Sequence, residues 1–235
     1  MLLIIPDIHG RSFWKKAVEE NIDKVSKVIF VGDYLDPYPW EGITRKQAIA
    51  NFQEIIDFKS EHKDKVILLL GNHDFPYIDK RNFYTESRYD SSNAYHINEM
   101  FRSHRSLFQL AHEELVNNER YLFTHAGLLP QWYKKHSDMI EELTVESLNR
   151  LQDNPKGIRI LCEVSAERGG WDRYGSIVWN DVTDLYQGVN KDIPWEYQVF
   201  GHSQQEEHPI ITKEFACLDC RKAFILNDEG GFVEC

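Results

Sequence analysis

Five short segments of the sequence carry Asp, Asn and His side chains of the kind that bind metal ions. They are Asp7-Ile8-His9-Gly10, Gly32-Asp33-Tyr34-Leu35-Asp36, Gly71-Asn72-His73-Asp74, His125-Ala126-Gly127 and Gly201-His202. Oxygen and imidazole ligands together suit Mn, Fe or Zn better than Ca or Mg alone. One such segment is weak evidence, because an Asp after a strand is often a helix cap. All five together predict a metal centre, in which Asp33 could bridge two ions about 3.5–4 Å apart.

Each of the five segments follows a short apolar run that predicts a buried strand. The runs cover residues 2–6, 28–31, 66–70, 121–124 and 197–200. The first three are rich in branched aliphatic side chains, which is typical of parallel strands covered on both faces. Ligands of open α/β sheets bind at the carboxyl ends of the strands. We therefore expect the polar segments to converge at the sheet edge.

The stretches between the strands set the fold class. Helical spacing over residues 12–21 and 44–62 predicts right-handed βαβ units of an α/β fold. We also predict a helix over residues 103–115, and antiparallel strands at residues 197–200, 210–212, 215–218 and 223–226. Residues 75–100 and 153–195 lack periodicity, which indicates loops beside the site. No Pro/Ser/Gly-rich linker interrupts the chain, so we expect residues 1–235 to form a single domain.

The composition limits the partners and the compartment. The chain has 235 residues, with 27 Lys and Arg against 38 Asp and Glu and a formal net charge of -11. This balance argues against nucleic-acid polymers and anionic membranes as partners. Two bound divalent cations would make the site itself locally positive, so an anionic substrate remains compatible. The apolar N-terminal run is too short for a signal peptide or a membrane span, which predicts a cytoplasmic protein.

The four cysteines predict reduced thiols. A chain of this size without an export signal favours thiols over disulfides. Cys217 and Cys220 form a lone C-x-x-C pair, whereas a structural zinc site needs four ligands. We therefore interpret this pair as part of a strand and its following turn.

Taken in order, the five polar segments resemble the motifs of the calcineurin-like metallophosphoesterases. The chain is most similar to their phosphoprotein-phosphatase branch, which includes bacterial diadenosine tetraphosphatases. Residues 124–132 (THAGLLPQW) resemble the tetraphosphatase form of one motif, and residues 177–181 (IVWND) resemble the Leu-Trp-Ser-Asp segment of the branch. Residues 216–226, followed by NDEG, are similar to its closing hairpin.

The resemblance implies a four-layer α/β/β/α sandwich with two divalent ions, Mn before Fe, Zn or Mg. It also implies that a hydroxide bridging the ions attacks phosphorus. His73 would then protonate the leaving oxygen, and Asp36 would orient and charge its imidazole. The implied ligands are Asp7, His9 and Asp33 for the first ion, and Asp33, Asn72, His125 and His202 for the second.

The chain departs from the branch at two arginines that grip the substrate phosphate. Pro37 and Tyr38 stand where the branch has Arg-Gly, and Leu70 stands where it has Arg before Gly-Asn-His. Another guanidinium would have to replace them, because Arg suits bidentate contacts with phosphate. The candidates, in order, are Arg168, Arg11 and Arg173, and the alternative for each is a solvated surface arginine.

We expect the chain to hydrolyse phosphate monoesters, including those of serine/threonine-type phosphoproteins. The phosphorylated substrate could be a small molecule, a nucleotide or a phosphoprotein. A first alternative is a hydrolase of dinucleoside polyphosphates. A second is a non-catalytic scaffold with the same fold, which the complete set of predicted ligands argues against.

Overall fold

The computed structural model describes residues 1–79, 88–186 and 191–235. Two compact units are present, each built around one β-sheet. Unit 1 comprises Met1–Gln109, Arg221–Asn227 and Gly231–Cys235, and unit 2 comprises Leu110–Cys220 and Asp228–Gly230.

The described residues form eleven strands and eight α-helices. The strands are β1 Leu2–Ile5, β2 Lys27–Phe30, β3 Val66–Leu69, β4 Phe108–Gln109, β5 Ala111–Val116, β6 Glu119–Thr124, β7 Tyr197–Phe200, β8 Ile210–Ile211, β9 Phe215–Cys217, β10 Phe224–Leu226 and β11 Phe232–Glu234. The helices are α1 Phe13–Asn21, α2 Arg45–Glu61, α3 Phe75–Ile78, α4 Ala94–Ser103, α5 Pro130–Lys135, α6 Val145–Arg150, α7 Pro155–Leu161 and α8 Val182–Leu185.

Unit 1 contains a six-stranded sheet in the order β11-β10-β1-β2-β3-β4. Strands β1 to β4 are parallel, and Ile29 of β2 lies opposite both Ile4 and Ile67. Helices α1 and α2 connect these strands, as predicted from the helical spacing. Trp14 of α1 packs against Phe30, with ring centroids 5.6 Å apart. This arrangement confirms the predicted parallel strands and the mixed α/β class.

Unit 2 contains a five-stranded sheet in the order β5-β6-β7-β9-β8. Strands β6, β7 and β9 are parallel, and the two edge strands β5 and β8 are antiparallel to their neighbours. The antiparallel prediction is therefore wrong for β7, whose two neighbours are both parallel to it. It is correct for the pairing of β8 with β9 and for β10 of unit 1. The chain between β6 and β7 is long enough, with helices α5 to α8, for the crossover that a parallel return requires.

The helix predicted over residues 103–115 is wrong. Helix α4 ends at Ser103, a 3-10 turn follows at Arg105–Leu107, and β4 and β5 come next. Strand β5 pairs with β6 along its whole length. The turn between them consists of Asn117 and Asn118, with φ of 50° and 64°. Two asparagines in the left-handed region are typical of a tight hairpin, and this signal outweighs the apparent helical spacing.

The prediction that residues 75–100 and 153–195 are loops is wrong in part, because their described residues include α3, most of α4, α7 and α8. Local capping explains two of these helices. The side chain of Asn154 accepts a hydrogen bond from Gly157 N (2.7 Å) at the start of α7, and Pro155 occupies the first helical position. Asp181 caps α8 through Thr183 N (2.9 Å). Residues 80–87 and 187–190 of these segments lie outside the described residues.

All four cysteines carry free thiols, as predicted. Cys217 ends β9 and Cys220 lies in the bend that follows, which agrees with the strand-and-turn interpretation. No helix in the described part of the chain combines the length and hydrophobicity that crossing a membrane requires.

Candidate functional site

In unit 1, the polar residues of three predicted segments follow parallel strands and are buried. Asp7 follows β1, Asp33 follows β2, and Asn72 and His73 follow β3. Gly32 allows the ends of β2 and β3 to approach each other, because a Cβ on this residue would lie 2.5 Å from the nitrogen of Gly71. The structure therefore brings these strand ends together at one edge of the unit 1 sheet.

Several of the predicted site residues have an unusual backbone conformation. The φ angles are 42° for His9, 53° for Asp33 and 59° for Asp36 in unit 1, and 64° for His202 in unit 2. The left-handed region costs a residue with a Cβ about 1–2 kcal/mol. Such strain persists where the surrounding structure imposes it, and it concentrates at functional sites.

His9 presents a ring nitrogen to the carboxylate of Asp33. Its Nδ1–H donates to the carbonyl oxygen of Leu35 at 2.9 Å, which leaves the lone pair on Nε2. Nε2 lies 3.5 Å from Asp33 Oδ2, and Asp33 Oδ1 accepts a hydrogen bond from His73 N at 2.9 Å. Burial lowers the pKa of His9 well below its ordinary value, although the Asp33 carboxylate opposes this shift. A neutral imidazole fixed by a carbonyl acceptor is the usual state of a histidine metal ligand.

His73 and Asp36 form a buried pair beside His9. His73 Nδ1 lies 2.9 Å from Asp36 Oδ2, and the hydroxyl of Tyr77 donates to Asp36 Oδ1. The Tyr77 oxygen in turn accepts the backbone N–H of Asp90 at 2.7 Å. Burial lowers the pKa of His73, but the carboxylates of Asp33 and Asp36 outweigh burial and raise it overall. The pair can therefore hold a proton on an imidazole whose orientation is fixed.

Asp74 joins the loops that follow β2 and β3. Its carboxylate is fully buried and accepts three backbone N–H groups: Oδ2 from Asp33 (3.0 Å) and Gly71 (2.8 Å), and Oδ1 from Tyr34 (3.1 Å). Burial and the neighbouring Asp33 carboxylate raise the pKa of Asp74 well above its ordinary value, and the three backbone N–H groups oppose this shift. Asp74 therefore positions Asp33 through its backbone and does not need to bind a ligand itself.

Arg88 lies beside the His73–Asp36 pair, although no sequence motif marks it as a site residue. Its Nη2 lies 3.0 Å from His73 Nε2, and its Nη1 donates to the carbonyl oxygen of Asp36 at 2.5 Å. The guanidinium carbon lies 3.7 Å from the ring centroid of Tyr38. The one available signal was its place in residues 75–100, which were expected to lie near the site.

In unit 2, the parallel strands β6 and β7 bring together two of the predicted ligands, His125 and His202. His125 Nε2 lies 3.1 Å from His202 Nδ1, and Gly201 N donates to the carbonyl oxygen of His125 at 2.9 Å. Both side chains are buried. Two ring nitrogens at this separation can share a proton or bind a cation together. The thiol of Cys217 donates to the carbonyl oxygens on either side of His202, at 3.3 Å each.

The three arginines predicted to contact phosphate have different surroundings. Arg11 is buried in unit 1, where its Nε lies 3.0 and 3.1 Å from the two carboxylate oxygens of Glu41. Arg168 of unit 2 forms an ion pair with Asp181 at 3.1 Å. Arg173 is exposed, with its guanidinium 5.3 Å from the ring centroid of Tyr174.

The donor set of unit 1 fits a divalent transition-metal ion. His9, Asp33 and His73 each offer one ligand atom, and these atoms lie within 4.8 Å of one another. Neutral imidazole with carboxylate oxygen suits Mn, Fe or Zn. The two nitrogens of His73 already bind Asp36 and Arg88, so His9 and Asp33 are the better ligands of the three. Asp7 and Asn72 are buried at the neighbouring strand ends.

Comparisons with known proteins agree with this chemistry. A family model described as calcineurin-like phosphoesterase matches residues 1–205. A Caenorhabditis elegans protein assigned as a serine/threonine-protein phosphatase is 29% identical over 131 residues, which are 54% of this chain. The matched part spans only 33% of that relative's length.

Solved structures share the fold at low sequence identity. A cold-active protein-tyrosine phosphatase of a psychrophilic Shewanella species has a TM-score of 0.62 at 13% identity, over 99% of this chain and 79% of that one. A protein serine/threonine phosphatase of Saccharomyces cerevisiae has a TM-score of 0.54 at 15% identity, over 100% of this chain and 78% of that one. These likenesses confirm the mixed α/β fold. Since the family model covers well over half of the sequence, the chain belongs to the calcineurin-like phosphoesterase family.

Proposed function

We propose that the chain hydrolyses phosphate monoesters with the help of two divalent metal ions, Mn being the first candidate. The observation that carries this proposal is the buried His73–Asp36 pair beside the His9–Asp33 pair. A proton donor and a metal-binding pair lie side by side in one unit, as ester hydrolysis requires. The proposed ligands are Asp7, His9 and Asp33 for one ion, and Asp33, Asn72, His125 and His202 for the other.

The ions would supply a water molecule activated for attack on phosphorus and positive charge that stabilises the phosphate oxygens. The chain's contribution to this step is to prepare the ligands. His9 keeps its Nε2 lone pair available because Nδ1–H is donated to Leu35 O. Asp33 is held by the N–H of His73 and, through its own backbone, by Asp74.

His73 would donate the proton that the leaving alcohol needs. Asp36 accepts the Nδ1–H of His73, so the transferable proton sits on Nε2. Tyr77 holds the other oxygen of Asp36 and prevents this carboxylate from turning away. A histidine whose pKa is raised by carboxylates is suited to a general acid near neutral pH.

For the substrate, we propose a phosphorylated serine/threonine protein or another monoester. The name of the Caenorhabditis elegans relative supports the phosphoprotein choice. Hydrolysis of dinucleoside polyphosphates is the second candidate, because residues 124–132 resemble the tetraphosphatase motif. The candidates for contact with the substrate phosphate from the sequence are Arg168, Arg11 and Arg173.

We further propose that the chain acts as a single-domain cytoplasmic protein. We also propose that its partners are neither nucleic-acid polymers nor membranes, because a net charge of -11 repels these anionic surfaces.

The test is a substrate panel with Mn-reconstituted protein. The panel contains an aryl phosphate, an aryl phosphodiester, a phosphopeptide and a diadenosine polyphosphate, and Asp33→Asn is the matched control. We expect hydrolysis of the aryl phosphate and the phosphopeptide, and none by Asp33→Asn. Preference for the diadenosine polyphosphate would favour the second candidate. No hydrolysis of any substrate by metal-loaded protein would favour the scaffold and refute the proposal.

A further inference from the structure

We propose that Arg88 binds the substrate phosphate in place of the two arginines that the sequence lacks. This inference rests on the proposed function. It assigns phosphate recognition to a residue outside the five polar segments.

The guanidinium of Arg88 lies beside the proposed proton donor. Arg88 Nη2 lies 3.0 Å from His73 Nε2, the atom proposed to carry the proton to the leaving oxygen. The same guanidinium lies 3.5 Å from His9 Nδ1. A phosphate ester whose leaving oxygen reaches His73 must therefore bring its other oxygens within reach of Arg88. Planar guanidinium groups bind phosphate oxygens through two parallel hydrogen bonds.

The aromatic ring of Tyr38 supports the side chain of Arg88. The guanidinium stacks on Tyr38, 3.7 Å from the ring centroid, and the Tyr38 ring contacts His9 edge-on at 5.1 Å. Tyr38 immediately follows Pro37, which occupies the position where related phosphatases have arginine. The loop after β2 thus supplies a platform, and the charge arrives from a different segment of the chain. Stacking on an aromatic ring favours Arg over Lys at this place.

The positive charge of Arg88 is not neutralised by the groups that its guanidinium contacts in the described residues. The guanidinium donates to the carbonyl oxygen of Asp36 and otherwise lies against the imidazole nitrogens of His73 and His9, and none of these groups is an anion. Within the described part of the chain, no carboxylate forms an ion pair with it. By contrast, Arg11 and Arg168 are neutralised by Glu41 and Asp181. An anion such as phosphate binds more favourably beside a half-buried cation that has no counter-ion than beside one that is already neutralised.

The test measures phosphate binding directly as well as activity. Mn-loaded Arg88→Gln is titrated with inorganic phosphate in a calorimeter, and KM and kcat are measured on an aryl phosphate. We expect phosphate affinity to fall about 10- to 100-fold, as for the loss of a charged hydrogen-bonding group, with a parallel rise in KM. Metal content should stay unchanged. Arg102→Gln is the matched control, because this arginine is exposed on α4 and forms an ion pair with Glu99. This variant should leave the phosphate affinity and KM unchanged.

Two further variants separate binding from a purely structural role. Arg88→Lys keeps the charge and should retain an intermediate phosphate affinity. Millimolar guanidinium ion should restore part of the lost activity in Arg88→Ala, which a loss of structure would not allow. Phosphate affinity in Arg88→Gln within twofold of the wild type would overturn the proposal. The proposal would also be overturned if the phosphate affinity fell only because the variant had lost its metal, and if Arg88→Lys did not restore any of that affinity. Failure of the wild type itself to hydrolyse the aryl phosphate would instead refute the proposed function.

Discussion

Replacing Asp74 with Asn should destabilise unit 1 strongly, although the two side chains have nearly the same shape. The Asp74 carboxylate is completely buried and accepts N–H bonds from Asp33, Tyr34 and Gly71. An amide has one oxygen instead of two, so its NH₂ group must face at least one of these backbone donors. One N–H then loses its acceptor and the NH₂ group gains none.

The magnitude follows from these lost contacts. Each buried donor left without an acceptor costs about 1–3 kcal/mol, and the new NH₂ group is itself buried without an acceptor. We therefore expect Asp74→Asn to lower the free energy of unfolding by about 2–5 kcal/mol, a large part of the roughly 5–15 kcal/mol typical of a domain. Because Asp74 also fixes the backbone of Asp33, Mn affinity should fall too.

Urea unfolding of the metal-free protein measures the first effect, and a Mn titration measures the second. Asp23→Asn is the control, because Asp23 is exposed and this change should stay within about 0.5 kcal/mol of the wild type. A loss below about 1 kcal/mol for Asp74→Asn, with an unchanged slope of unfolding against urea, would refute the reasoning.

Three other substitutions test separate parts of the site. The His73→Asn variant should still bind its metal, but its kcat should fall by about 100-fold or more, most strongly for alkyl phosphates, because their leaving groups need a proton. Steady-state kinetics that show an unchanged kcat on an alkyl phosphate would contradict this role. Tyr77→Phe should lower stability by about 1–3 kcal/mol and reduce kcat more than it raises KM, because the Asp36 carboxylate loses its second donor; an unchanged kcat would exclude this positioning role. Gly32→Ala should lower the free energy of unfolding, measured by thermal unfolding, by about 2–5 kcal/mol, because the residue has a left-handed backbone and its new Cβ would lie 2.5 Å from Gly71. Gly42→Ala also has a left-handed backbone but open space around the new Cβ, so it should lower stability less. Equal losses of stability in the two variants would argue against the close approach at Gly32.

The sequence was sufficient to predict the part of the fold that carries the polar strand ends. Residues 2–6, 28–31 and 66–70 are apolar and stop abruptly at Asp or Gly, and the structure has parallel strands there. A parallel strand that is buried on both faces is apolar at nearly every position, whereas half-exposed strands and helices show an alternating or helical pattern of apolar residues. The positions of Asp33 and His73 at the ends of these strands therefore followed from local pattern alone.

The sequence was misleading where the structure depends on distant contacts. Residues 103–115 have apolar spacing that a helix would also satisfy, and the pairing of β5 with β6 decides the outcome. The direction of β7 depends on a long crossover that the alternating pattern of the strand does not reveal.

Arg88 illustrates the same limit at the site. It follows no strand and belongs to no recognised motif. Only the folded chain brings it to within 3.0 Å of His73 and onto the ring of Tyr38. The family resemblance could indicate that two arginines were missing, but it could not indicate which residue compensates for them.

The central claim is that two metal ions support phosphate ester hydrolysis in this chain, and one measurement tests it most directly. The metal-free protein is titrated with Mn, and bound metal per chain is determined by elemental analysis alongside hydrolysis of an aryl phosphate at each point. Our account predicts two ions per chain and activity that rises with their binding. Fewer than one ion per chain, or full binding without hydrolysis, would contradict it.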